Sequence, residues 1–327
     1  MHNRAAVFFS LIILTLASFL LAFSLGSVSL SSDQLFSALI NHDTSMPSTI
    51  IWELRMPRAY IAFVTGGLLA LAGLLMQVLL KNPLADPYIL GVSSGASVAA
   101  LSAMALGLGT YWMSVSALTG ALFTILLVFG LSHRAGSWNP SRLLLTGVVI
   151  AAGWGAVINF ILSISPDKPL RGMLFWLMGD ISHITPNSAS LVVLVAGTLI
   201  SFMIARQLNV LSRGDLQASA LGVAVKPVRI LLFFLASSLT AFAVVQAGSI
   251  GFIGLIVPHM LRLLIGSDHR LLIPCSVLLG GTMVLISDTL ARTIIAPQQL
   301  PVGVITAFIG VPFFLYLLNK SYNRNKD

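Results

Sequence analysis

Residues 87–133 carry no Asp, Glu, Lys or Arg. A water-soluble chain cannot hide such a stretch, because its surface needs charge at roughly one residue in four. The stretch is also too long for one helix through a bilayer, which takes roughly 20 apolar residues. "GLGTYW" at 107–112 supplies a turn, so two spans fit it. The whole chain follows suit: 327 residues, 57% apolar, 9% charged, mean hydropathy +0.97. Most of its outside must face lipid, where only helices with internally satisfied backbones and closed barrels survive.

With charges and proline clusters as boundaries, ten spans are expected in an all-α fold forming a single transmembrane domain over 1–327. Span one covers about 5–26, twice the length of a signal-peptide core, and is read as a retained helix. Span two lies between Arg58 and Lys81; spans three and four divide 86–134 and span five runs 142–167. Residues 172–179 form an interfacial helix, and 188–205 is span six. The uncharged run 230–261 is long for one helix and short for two; Gly248, Gly251 and Gly254 before Pro258 favour two short helices with a turn near 247–251. Residues 271–291 and 302–319 are spans nine and ten. With the N-terminus inside, 13 of the 18 Lys and Arg fall on the inner side and five outside: Arg55, Arg58, Lys168, Arg171 and Arg292. That asymmetry places both termini in the cytoplasm. It also accounts for the net charge of +8 without nucleic acid.

Small residues recur at helix-contact spacing: Gly91, Gly95 and Ala99, then Gly147, Ala151 and Gly155. Gln77, Asn159 and Gln246 are polar positions inside spans, read as interhelical hydrogen bonds or pathway lining. The lone Cys275 excludes an intrachain disulfide and reads as packing. No phosphate-binding loop, HExxH motif or Cys/His cluster is present, so neither an enzyme nor a metal site is expected. Asp288 is the one acid well inside a span, with Arg292 four residues on. The pair reads as an i,i+4 ion pair; the alternative is an ion-coupled carrier built on Asp288.

"RMPRAYIAFVTGGLLALAGLLMQVLLKNPLADPYILGVSSGAS" (55–97) resembles the signature of FecCD-type permeases. These are the membrane subunits of importers for iron–siderophore complexes, haem and vitamin B12. "AGSIGFIGLIVPHMLRLLIGSDHRLLIP" (247–274), "DTLAR" (288–292) and "LPVGVITAFIGVPFFLYLL" (300–318) match in the same order. The resemblance implies ten helices per subunit, a homodimer in the bacterial inner membrane, and two separate ATP-binding cassette subunits that hold ATP and Mg; no cofactor is expected in this chain. It also implies a periplasmic or lipid-anchored binding protein that delivers the metal chelate, docking on Arg55, Arg58 and Arg292. A coupling segment at about 207–228 would seat in the ATPase through residues such as Arg213, Asp215, Leu221 and Gly222. Asn82 and Leu84, with Pro140 and Ser141, would narrow the cytoplasmic exit, although Pro140 stands where the vitamin B12 permease has threonine. Met76 and Met173 are candidate lining of the central path.

Overall fold

The computed structural model describes residues 2–26, 28, 30–41, 44–133, 140–182 and 188–324. Of the 13 basic residues assigned to the inner side, Arg134 and Lys326 lie outside these. Every regular element among the described residues is helical. They are α1 (His2–Ser24), α2 (Ser32–Ile40), α3 (Met46–Thr49), α4 (Met56–Leu80), α5 (Val92–Ala105), α6 (Thr110–His133), α7 (Pro140–Ile164), α8 (Asp167–Leu177), α9 (Ser188–Met203), α10 (Ala205–Leu211), α11 (Asp215–Ala220), α12 (Val225–Ala247), α13 (Ile253–Ile265), α14 (His269–Thr293) and α15 (Val302–Arg324). Among the described residues six helical segments are long and apolar enough to cross a bilayer, and bent α9–α10, with its 63° break, makes a seventh if it is one span. Three shorter apolar helices, α5, α13 and α15, accompany them. The protein is a multi-pass helical membrane protein.

Several boundaries differ from the sequence reading. The run 230–261 breaks at 248–252, as the glycines indicate, but only the second of its two helices, α13, is short; α12 is full length. Gly248 at φ 66° ends α12, and Phe252 at φ 71° starts α13. A π-helical turn, Ile50–Arg55, extends α4 backwards into one apolar helical stretch from Met46 to Leu80. The amphipathic helix α8 begins earlier than expected, at Asp167, and buries Met173 and Trp176. The helix α2 was not anticipated; Ser31 and Gln34 form a capping box at its start.

Helix α4 is the centre of the molecule. Of its most apolar stretch 94% is buried, against 11% for α7. It is wrapped by α12, α13 and α14. Lipid offers no hydrophobic gain for pressing helices together, so close approach through small residues does that work. A Cβ on Gly66 would stand 2.1 Å from Gly280 O, and one on Gly73 would stand 1.9 Å from Gly254 O. The small-residue stripe on α5 packs the same way: a Cβ on Gly95 would lie 1.9 Å from Thr124 Oγ1. On α7 the expectation holds only in part, since Gly147 packs on Ile89 O while nothing lies near Gly155. Hydroxyls add cross-links, such as Thr15 Oγ1 to Thr282 Oγ1 at 2.8 Å between α1 and α14.

Candidate functional site

Functional candidates gather at the two ends of α4. At its start, Arg58 folds onto Asp288 of α14: Nε donates to Oδ1 (2.9 Å) and Oδ2 (3.1 Å), and Nη2 donates to Oδ1 (2.8 Å). Arg292 Nε stands 3.4 Å from Asp288 Oδ2. The expected i,i+4 pair is therefore present, but its stronger partner comes from 230 residues away. Asp288 is fully buried and its oxygens are taken by two fixed guanidinium groups. That is the geometry of a structural ion pair.

The sequence reading set Arg55, Arg58 and Arg292 on an exposed face, and the structure corrects this. Arg55 is 4% exposed and Arg292 7%. Helix α1 ends with carbonyls that lack intrahelical partners. Arg292 Nη2 donates to Ala22 O (2.9 Å), and Arg55 Nη1 donates to Phe23 O and to Ser24 O (2.9 Å). Arg55 Nη2 reaches Val28 O. A guanidinium's five donors in a fixed fork suit it to closing a helix end. Of the three, Arg58 is nearest the surface: its side chain is 13% exposed, and Nη1 donates to exposed Gln299 Oε1 at 2.7 Å.

At the other end, Lys81 closes α4 in a left-handed conformation, φ 51°. Asn82 then folds a turn, its Oδ1 accepting from Leu84 N (2.9 Å). Asp86 Oδ1 accepts from Tyr88 N (2.7 Å) and starts a short 3-10 helix, Pro87–Leu90. Burial pushes the Asp86 carboxyl up to about 6, partly offset by that N–H, and burial beside Asp86 raises the Tyr88 phenol. Asn82 and Leu84 are exposed, as is Ser141; Pro140 is half-buried as the first residue of α7. The two expected gate pieces are linked through α7, whose Gly147 packs on Ile89 O.

The segment 205–220 lies beside this turn. Asp215, first residue of α11, takes Lys81 Nζ at 2.9 Å and Arg229 Nη2 at 2.9 Å on Oδ1. Asn209 ties α10 to the start of α14: Nδ2 donates to Asp268 Oδ1 (2.8 Å) and Oδ1 accepts from His269 N (2.8 Å). The Asn209 hydrogen bond is the main cause holding Asp268 below the usual carboxylate range. A cavity of about 630 Å³ opens here, lined among others by Gln77, Lys81, Arg213, Arg262 and His269. Leu216 is 88% exposed and Leu221 69%, and Gly222 turns the chain at φ 78°.

Sequence reasoning missed Lys81–Asp215–Arg229 and Arg58–Asp288 because their members are far apart in the chain; the opposed charges in apolar surroundings were the available signal. Gln77 proves to be an interhelical link, donating to Gly254 O and Leu255 O and accepting from Arg262 Nη1. Asn159 is exposed, whereas Gln246 is buried with neither amide atom bonded. Met76 and Met173 are fully buried inside the chain. Cys275 is buried, as packing requires.

The class is that of a lipid-embedded helical bundle with a polar, exposed segment clustered beside one end of its central helix. The profile of the FecCD transport family matches residues 13–320, and the chain belongs to that family. It is 41% identical to the hemin transport system permease protein of Yersinia pestis, over 90% of each chain. It is 41% identical to the cobalamin import system permease protein of Halobacterium salinarum, over 82% of this chain and 73% of that one. A solved structure described as an inward-facing conformation of a metal-chelate type ABC transporter superposes with TM-score 0.86 and 31% identity, covering 97% of this chain and 99% of that one.

Proposed function

We propose that this chain is the permease subunit of a binding-protein-dependent importer that moves a metal chelate into the cytoplasm, working as a homodimer with two ATPase subunits. The chelate is an iron–siderophore, haem or a corrinoid. The ten crossings of this reading are α1, α4, α5, α6, α7, α9–α10, α12, α13, α14 and α15, and the whole chain is one domain. The Lys81 end and both termini lie in the cytoplasm, in keeping with the 13-to-five distribution of basic residues.

The observation that carries the reading is the exposed pair Leu216 and Leu221, on the short polar helix α11 and its C-terminal cap. Apolar side chains that stand free on a charged segment call for a partner, and an ATPase cleft would cover them. The second copy would cover the exposed apolar face around Phe308, where a groove of about 570 Å³ is lined by Met178, Ser249, Gly303, Val304, Phe308 and Pro312 among others. Its apolar wall fits a path that a large chelate crosses without being held. On the outer face the binding protein would dock near Arg58, with Arg55 and Arg292 acting from below by fixing the end of α1.

The test is uptake by reconstituted vesicles. Vanadate-sensitive, ATP-driven accumulation with a co-purifying ATPase supports the reading; accumulation by the purified chain alone overturns it. Leu216→Asp with Leu221→Asp should abolish ATPase co-purification. Because both side chains are exposed, thermal stability should move by no more than about 0.5 kcal/mol. Association with the binding protein should weaken as ionic strength rises, as expected for exposed charge contacts.

A further inference from the structure

The stretch from Lys81 to Ser93 is tied at both ends. At the near end, Lys81 and Arg229 converge on one oxygen of Asp215, the first residue of α11, each at 2.9 Å. Arg229 is 2% exposed and rooted in α12; Asp215 and Lys81 are each about one-third exposed. At the far end, the Tyr88 hydroxyl accepts from Ile250 N (3.0 Å) and donates to Ile250 O (3.1 Å). Ser93 and Ser249 share a further hydroxyl hydrogen bond. Between these anchors, Asn82 and Asp86 close successive turns on Leu84 N and Tyr88 N. The stretch is therefore braced internally and has two discrete attachments.

What it attaches to matters. Residues 248–251 are wedged against two other segments by backbone contact. A Cβ on Gly248 would stand 2.1 Å from Trp176 O, one on Gly303 would stand 2.1 Å from Met178 O, and Val302 N donates to Gly179 O at 2.9 Å. Met178, Ser249 and Gly303 line the apolar groove. Packed backbone does not deform continuously, so a shift at 248–251 must be shared by all three segments.

We propose that Asp215 is a positioning residue that fastens segment 81–93 to α11, so that displacement of α11 is delivered through Tyr88 and Ser93 to the groove wall at Ser249. This rests on the permease reading above. Asp215 touches no substrate; it acts through Lys81. Arg229 keeps Asp215 in place when the contact to Lys81 is remade, because its buried guanidinium pairs with no other acid among the described residues.

The experiment measures substrate transported per ATP hydrolysed in the assembled importer. Lys81→Met and Asp215→Asn should each lower that ratio about tenfold, a coupling loss of the usual size between linked sites. The double variant should be no worse than Asp215→Asn alone, since that substitution already removes the Lys81 ion pair, along with the one to Arg229. Lys81→Arg, which keeps the cation, should restore the ratio to within about twofold. A ratio unchanged in Lys81→Met, or losses that multiply in the double variant, overturns the proposal. Lys81→Met alters a part-exposed side chain, so the test survives if Asp215→Asn fails to assemble. Should the unaltered chain hydrolyse no ATP with any partner, the permease reading fails, and that outcome is separate from any change in ratio.

Discussion

Asp288→Ala should cost about 3–5 kcal/mol of stability, the toll of removing one partner from a buried ion pair. The substitution strands two arginines at once. Arg58 loses three hydrogen bonds and Arg292 its ion pair, while both stay among α1, α4 and α14. Arg292 also holds the last turn of α1 through Ala22 O, so the damage should spread to that helix. Thermal unfolding in detergent is the measurement, with proteolysis after residue 24 reporting release of α1. Arg58→Met combined with Asp288→Leu should recover much of the loss, because apolar replacements of a buried pair are often neutral. Equal stability of Asp288→Ala and the parent would show that the pair contributes little.

Gly73→Leu should prevent the bundle from forming. Even the first added carbon would sit 1.9 Å from Gly254 O and 2.4 Å from Gly254 C. The obstacle is backbone, which has no rotamer to yield, so the cost should exceed the ordinary 1–3 kcal/mol of core overpacking. Gly66→Leu should behave alike against Gly280 O. The control is Gly153→Ala on α7, where a Cβ meets nothing within 4 Å; there the helix should gain slightly, by about 0.5–1 kcal/mol, from lost backbone freedom in the unfolded chain. Yield of monodisperse protein and melting temperature distinguish the cases. A well-behaved Gly73→Leu protein would mean that α4 and α13 are not in the contact described.

Much of this architecture was legible in the residues. Lipid exposure forces long uncharged runs, so α1, α4, α6, α7 and α14 announce themselves by composition alone. The region 225–265 was harder. Periodicity cannot place a helix end inside a continuous apolar run; Gly248, Gly251 and Gly254 marked the turn near 247–251, but not the lengths of the helices on either side of it. The site was legible as chemistry and illegible as geometry. The arginines at 55, 58 and 292 stood out as charges on the side that disfavours them, which invited an exposed role. Only the folded chain reveals that α1 ends beside two of them with carbonyls to satisfy. Likewise Asp215 could be assigned to a polar loop but not to Lys81, which lies 134 positions earlier.

The seclusion of α4 has a consequence for biogenesis. The helices that sheathe it, α12, α13 and α14, are all translated after residue 224. During synthesis α4 must therefore enter the bilayer and wait among acyl chains, displaying a glycine-rich face meant for protein. A ribosome-bound chain halted near residue 200 should leave that face open to protease-resistant but promiscuous pairing, and the second half of the polypeptide acts as its own chaperone on arrival.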